Sequence, residues 1–313
     1  MLPDKVEMLA TMKRVKPFIH NTPVLTSTSI DRITGIRLFF KCENFQRMGA
    51  FKMRGATNAI LKLSDDQKAN GVVTHSSGNF AQAIALAARS TGIKAFVVMP
   101  SNAPKVKKAA VLGYGAEVIE CPSTIRDREV TAATIAEEKG ATFIHPSNDL
   151  DVIMGQGTAA MELIEKYKDL DHIIVPVGGG GLLAGTALAT HHFSPKTEVI
   201  AGEPFGADDA WHSLKAGRII PCVNPQTIAD GLRTSLGYQN FPIIKKLVKN
   251  IIRVEEQEII EAMKLILQRM KIVVEPSSAV ALAALIRESE NFKDKNVGVI
   301  LSGGNVDLEN LPF

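Results

Sequence analysis

Short apolar runs rich in Val and Ile alternate along this chain with longer stretches in which apolar residues recur every three or four positions. The short runs predict strands over Gly71 to Thr74, Ala95 to Met99, Glu117 to Cys121, Thr142 to His145, His172 to Val177, Glu198 to Gly202 and Val297 to Leu301. The longer stretches predict helices over Phe80 to Thr91, Thr124 to Lys139, Val152 to Lys168, Glu256 to Met270 and Ser277 to Arg287. Alternation of this kind builds parallel sheets covered on both faces. The expected class is therefore α/β, with two open, twisted, mostly parallel sheets flanked by helices. No repeat or linker marks a boundary, so strand grouping sets the division. The early strands form a small domain in residues 67–146, and the others, joined by the N-terminal segment, form a large domain in residues 1–66 and 147–313. Ligands of open α/β folds bind in the cleft that such an arrangement leaves.

Several strand ends carry chemistry. Val175 to Gly185 runs from a strand into Gly178, Gly179, Gly180 and Gly181 and then into a helical pattern. Without Cβ atoms, backbone N–H groups can converge on an anion at the positive end of a helix. A tight strand-to-helix turn explains the same run equally well. It lacks the Gly-Lys-Ser/Thr of a nucleotide P-loop and the spacing of a dinucleotide fingerprint. Lys52 sits among apolar and small residues in Phe45 to Ala56, where burial would free its amine for carbonyl chemistry, although most lysines at a helix start are exposed. Ser76, Ser77, Gly78 and Asn79 end a strand before an apolar helix, either binding a carboxylate or simply capping. Ser302, Gly303, Gly304 and Asn305 repeat the pattern of strand, polar loop and helix start.

Composition narrows the classes. With 45% hydrophobic residues in 313, the chain can bury a sizeable core. The 36 basic and 33 acidic residues are scattered, which argues against a nucleic-acid partner. Lys105, Lys107 and Lys108 form the densest cationic cluster and read as the solvated face of a helix. Cys42, Cys121 and Cys222 show neither disulfide nor zinc spacing, and no apolar stretch is long enough to span a membrane, so a reducing cytoplasm is expected.

Phe51-Lys52 with Arg54-Gly55-Ala56, Ser76 to Asn79, the glycines 178–181 and Ser302 to Asn305 together resemble the ordered signatures of fold-type II, tryptophan-synthase-β-like pyridoxal-phosphate (PLP) enzymes. The resemblance runs from about His20 to the C-terminal end and is nearest to serine racemases and serine/threonine dehydratases. It implies a cofactor in the interdomain cleft, held by Lys52 as a Schiff base. Phe51 would pack near its ring, Asn79 would bond its 3-oxygen, Gly178 to Gly181 with the Leu182 amide would cradle its phosphate, and Ser302 would face its pyridine nitrogen. Ser76, Ser77, Gly78 and Asn79 would grip the substrate carboxylate, with Ser77 working opposite Lys52. The implied activity is an ammonia-lyase for L-serine or L-threonine, with serine racemisation at the same site. A dedicated racemase or a 3-hydroxyaspartate dehydratase is the near alternative, and Arg128 matches an arginine that can approach a second carboxylate. A PLP carrier without catalysis and a nucleotide-binding oxidoreductase are the alternatives outside these activities.

The resemblance further implies Mg²⁺ or Ca²⁺ at Glu203, the Ala207 carbonyl and Asp209, and a homodimer. Lys271, Tyr114, Gln82 and Asn305 match a nucleotide-effector site of animal racemases, from which Arg47-Met48 departs. Ala50 and Phe80 stand where the family usually has serine and histidine. Few residues follow Asn305, so no C-terminal regulatory domain is expected.

Overall fold

The computed structural model describes residues 2–103 and 105–313. Ten strands among them form two sheets. The larger has the order β1 (Val24–Leu25), β2 (Arg37–Cys42), β10 (Asn296–Leu301), β7 (His172–Pro176), β8 (Glu198–Pro204) and β9 (Val248–Val254). Every neighbouring pair is parallel except β1 with β2. The smaller sheet is wholly parallel, in the order β5 (Glu117–Cys121), β4 (Ala95–Pro100), β3 (Val72–His75) and β6 (Thr142–Phe143). The expected two-sheet α/β architecture is the observed one.

Both faces of each sheet are covered. Ile173 and Val175 of β7 enter one apolar core of the large sheet while Ile174 between them enters the other, as successive side chains on a strand must. In the small sheet Val97 and Met99 face one core and Phe96 and Val98 the opposite one. All six residues of β4 are buried, which is why that strand reads as an unbroken apolar run.

Three strands escaped the sequence reading. β1 spans only two residues, β2 opens on Arg37 and holds Lys41, and β9 is interrupted by Lys249 and Asn250. One helix start is corrected. Ser302 to Asn305 leads into no α-helix, only a 3-10 turn at Leu308–Asn310. The Asn305 side chain is drawn to the Met48 carbonyl at 2.8 Å and to Asn79, and Val306 N–H bonds back to the Gly304 carbonyl, so this segment is pinned down rather than free to coil. The lysine cluster lies on a surface helix, Lys105–Gly113, with Lys105 exposed and Lys107 and Lys108 half-buried. Lys107 pairs with Asp230 of the large-sheet side at 2.7 Å, and Lys108 with Glu120 at 2.6 Å.

Three helices set the position of the site. Gly155 and Gly157 of the helix Leu150–Lys166 lie against the helices Lys52–Leu61 and Gly181–Phe193. A Cβ on Gly155 would stand 2.6 Å from the Arg54 carbonyl oxygen, and one on Gly185 would stand 2.3 Å from that of Ile153. The helices therefore meet backbone to backbone, bringing the start of one beside the start of another.

Candidate active site

Lys52 is the first residue of the helix Lys52–Leu61, and Arg54 anchors that helix from below. Arg54 is fully buried and grips Glu43 through two hydrogen bonds of 2.6 and 2.8 Å, with two more to Glu162 at 2.8 Å each. Lys41 Nζ completes the cluster on Glu162 at 2.5 Å. Two cations thus balance two carboxylates. Removing Arg54 would leave the buried Glu43 without its ion-pair partner, Glu162 keeping Lys41, at a cost of about 3–5 kcal/mol.

The Lys52 amine faces a cleft of about 910 Å³ between the two sheets. Its Nζ donates to the Pro146 carbonyl at 2.9 Å and lies 5.1 Å from the Phe51 ring and 5.6 Å from the Phe80 ring. Burial outweighs the attraction of Glu275 and lowers the ammonium to about 8. Phe80 is an apolar wall where an imidazole would have been a polar one.

Gly178, Gly179, Gly180 and Gly181 join β7 to the helix Gly181–Phe193 along the same cleft. A Cβ on Gly178 would stand 2.6 Å from Leu232 Cα, and one on Gly179 would stand 2.6 Å from Ser147 Oγ. Gly180 has φ +80°, where L side chains are strained. Asn240 holds the loop by donating to the carbonyls of Gly179 at 2.8 Å and Ser147 at 2.9 Å. No side chain caps the helix, so the N–H groups of its first turn, Leu182 included, remain available at the positive end of the dipole.

From the small-sheet side, Ser76, Ser77, Gly78 and Asn79 bring the start of the helix Asn79–Thr91 to the cleft, also without a side-chain cap. Arg128, on the helix Ile125–Lys139, lines the same wall, its Nε 3.4 Å from the Thr124 carbonyl. Ser302 is buried at the end of β10, and its carbonyl accepts from Phe51 N–H at 3.0 Å. Residues from the four separate motifs thus line one cavity.

The chain matches the family model described as pyridoxal-phosphate dependent enzyme over residues 15–303. It is 49% identical to the β-hydroxyaspartate dehydratase of Paracoccus denitrificans, covering 100% of this chain and 99% of that protein. It is 51% identical to a serine racemase of Arabidopsis thaliana, over 95% and 92% of the two chains. The crystal structure of serine racemase from Dictyostelium discoideum superposes with a TM-score of 0.93 at 49% identity, over 96% and 98%. The chain belongs to the pyridoxal-phosphate-dependent enzymes. Within them it falls in the ammonia-lyase and racemase group.

The cleft suits a PLP cofactor on its own geometry. It supplies an amine of lowered basicity, a side-chain-free cradle at an uncapped helix start, and two aromatic rings around the amine. Residues missed from the sequence also lie here. His75 and His145 line the cleft with ring centroids 5.7 Å apart, and burial, more than the nearby charge of Arg128 or Lys52, pushes each down to about 4. His145 Nδ1 accepts from Ser147 and Asn148 N–H at 3.1 and 2.9 Å, leaving the proton on Nε2. Glu275 is buried beside Asn79. Their position at strand or helix ends was the available signal, but an acid before Pro276 reads as a helix start and a terminal His as ordinary strand.

Glu203, Ala207 and Asp209 lie away from the cleft, at the end of β8. Both Glu203 oxygens are taken by N–H groups of Ala210 and Trp211 at 2.8 Å. Both Asp209 oxygens are buried without a full hydrogen bond. Among the described residues no group of three or more His, Cys, Asp or Glu side chains is arranged for a metal. Of the nucleotide-site positions, Asn305 lines the cleft and Gln82 is buried, while Lys271 ends the helix Glu256–Met270 at φ 59° and Tyr114 packs against the small-sheet core.

Proposed function

We propose that this PLP enzyme removes the elements of water from L-serine or L-threonine, and that hydrolysis of the product gives the 2-oxo acid and ammonia, with racemisation of serine at the same centre. The observation that carries the reading is Lys52, an amine lowered to about 8 at the floor of a cleft shared with the glycine cradle and the Ser76–Asn79 loop. When bound, PLP supplies an electron sink for the charge that builds at the α-carbon.

The protein does the rest. The first-turn N–H groups around Gly181 and Leu182 hold the phosphate, and Asn79 donates to the ring's 3-oxygen. Phe51 would pack near the ring, while Ser302 would offer the pyridine nitrogen a neutral hydroxyl, which does not hold that nitrogen protonated as a carboxylate would and so disfavours transamination. The Ser76–Asn79 loop holds the substrate carboxylate. Lys52 would move the α-proton on one face and Ser77 would serve the other, an arrangement that permits inversion. A second reading, dehydration of 3-hydroxyaspartate, draws on Arg128 in the cleft wall beside two neutral histidines and on the likeness to a β-hydroxyaspartate dehydratase.

The deciding experiment compares the protein and Lys52→Ala with PLP and L-serine, L-threonine or L-threo-3-hydroxyaspartate, following the visible absorbance band, keto acid and chirality. Band and turnover that vanish together in the variant support the reading, and the preferred product chooses between substrates. A wild-type protein with neither band nor turnover would sink it.

Asp209, with Glu203 and the Ala207 carbonyl, is proposed to hold Mg²⁺ or Ca²⁺, because its two buried oxygens lack a full hydrogen bond, only the Cys222 thiol and the N–H groups of Leu236 and Asp209 itself approaching them, and such a carboxylate suits a hard cation. The neighbouring Trp211 is the only tryptophan of the chain. Titrating either ion should change its fluorescence saturably, and Asp209→Asn should abolish the change; a flat titration of the wild type removes the proposal.

A further inference from the structure

Glu275 is a buried carboxylate in the cleft for which the reaction above has no task. It precedes Pro276, the first residue of the helix Pro276–Arg287, yet its side chain does not cap that helix. Both its oxygens instead lie 3.0 Å from Nδ2 of Asn79, across the cleft. Asn79 Oδ1 accepts from Asn305 Nδ2 at 2.9 Å, and Asn305 Nδ2 also donates to the Met48 carbonyl at 2.8 Å. An amide nitrogen can only donate and its oxygen only accept, so these partners fix which way the Asn79 amide faces. One Nδ2 hydrogen is engaged by Glu275 and the other is left for a ligand.

The surroundings accommodate a carboxylate here. Gly303 leaves it room, since a Cβ there would stand 3.0 Å from Glu275 Oε1. Lys52 lies within electrostatic reach. We propose that Glu275 is a positioning residue for the cofactor ring: it orients the Asn79 amide so that its remaining hydrogen meets the ring's 3-oxygen. The inference rests on the PLP reading above.

The charge of Glu275 then governs how strongly Asn79 donates. Burial raises its carboxyl to about 7. The groups that face it are Asn79 from the helix Asn79–Thr91, Asp230 from the turn Asp230–Leu232, Lys107 from the helix Lys105–Gly113, Lys52 from the helix Lys52–Leu61 and the Asn305 backbone N–H. Asp230 raises the carboxyl further, while Asn79, Lys107 and Asn305 oppose it.

The test is PLP binding and the pH titration of the visible absorbance band in wild type, Glu275→Gln, Glu275→Ala, Asn79→Ala and the double alanine variant, with no substrate present. Glu275→Ala should weaken PLP binding by roughly tenfold, the loss of a hydrogen bond to a charged group. Its effect should not add to that of Asn79→Ala, because both act through one amide. Glu275→Gln can still accept from Asn79, so it should keep affinity within about threefold but lose the spectral transition near pH 7. If Glu275→Ala fails to fold, the Gln variant decides on the transition alone. Additive effects of the two alanines, or a Gln variant that titrates like wild type, overturn the inference. A wild-type protein with no visible band overturns the PLP reading instead, so the two failures are distinguishable.

Discussion

Lys52 has two aromatic rings and a carboxylate that favour its charged form, and burial still lowers it to about 8. Losing the hydration of an ammonium outweighs the partial compensation those neighbours offer. Only the unprotonated amine attacks a carbonyl. The rate at which the cofactor-free chain captures PLP should therefore rise as pH increases through about 8 and level off above it, read from the growth of the visible band. A rise that continues to about pH 10 would mean an unperturbed lysine. From its letters alone Lys52 was one lysine at a helix start among many. Its setting became legible because Phe51, Arg54 and Gly55 surround it in a recognisable order. Glu275 stayed hidden because its partner Asn79 is 196 positions away.

Close contact among the helices Lys52–Leu61, Leu150–Lys166 and Gly181–Phe193 aligns the amine with the glycine cradle. The contact depends on absent side chains. Gly185→Ala would put a methyl 2.3 Å from the Ile153 carbonyl oxygen, backbone that cannot step aside without moving a helix. We expect a loss of about 1–3 kcal/mol in urea denaturation, together with weaker PLP binding, since the displaced helix carries the cradle. An unchanged midpoint would show that the helices can slide apart freely. Periodicity identified the helix of Gly157 without revealing that its glycines face other helices. The strand β2 was invisible for a related reason: Lys41 reads as exposed until Glu162, distant in sequence, neutralises it inside, whereas in β9 the exposed Lys249 and Asn250 break the apolar run.

At the scale of the molecule, the cleft wall titrates with the fold. His75 and His145 are lowered from 6.5 to about 4, mainly by burial. A base with a depressed folded value stays neutral in the native chain while the unfolded chain takes up protons first. Stability is thus full above about pH 6.5 and drains away as pH falls toward 4, by up to about 3 kcal/mol per ring. His75→Phe, whose ring would continue the stack on Phe143, should remove roughly half of that loss. The check is denaturation at several pH values across the window. An identical pH slope in the variant would show that His75 titrates normally in the folded chain. No helix among the described residues is long and apolar enough to cross a membrane.

The sequence by itself determined the α/β class, the grouping of strands into a small and a larger sheet, and the residue types at the strand ends that carry the chemistry. These are local matters, set by side-chain periodicity and by which residues tolerate a tight turn. Tertiary structure alone decided that Ser302 to Asn305 is pinned instead of helical, that Lys107 reaches Asp230 across the cleft, and that Asn79 is clamped between Glu275 and Asn305. Each of these depends on a partner more than a hundred positions away. Such pairings follow from how the sheets and helices pack, which no local pattern of residues encodes.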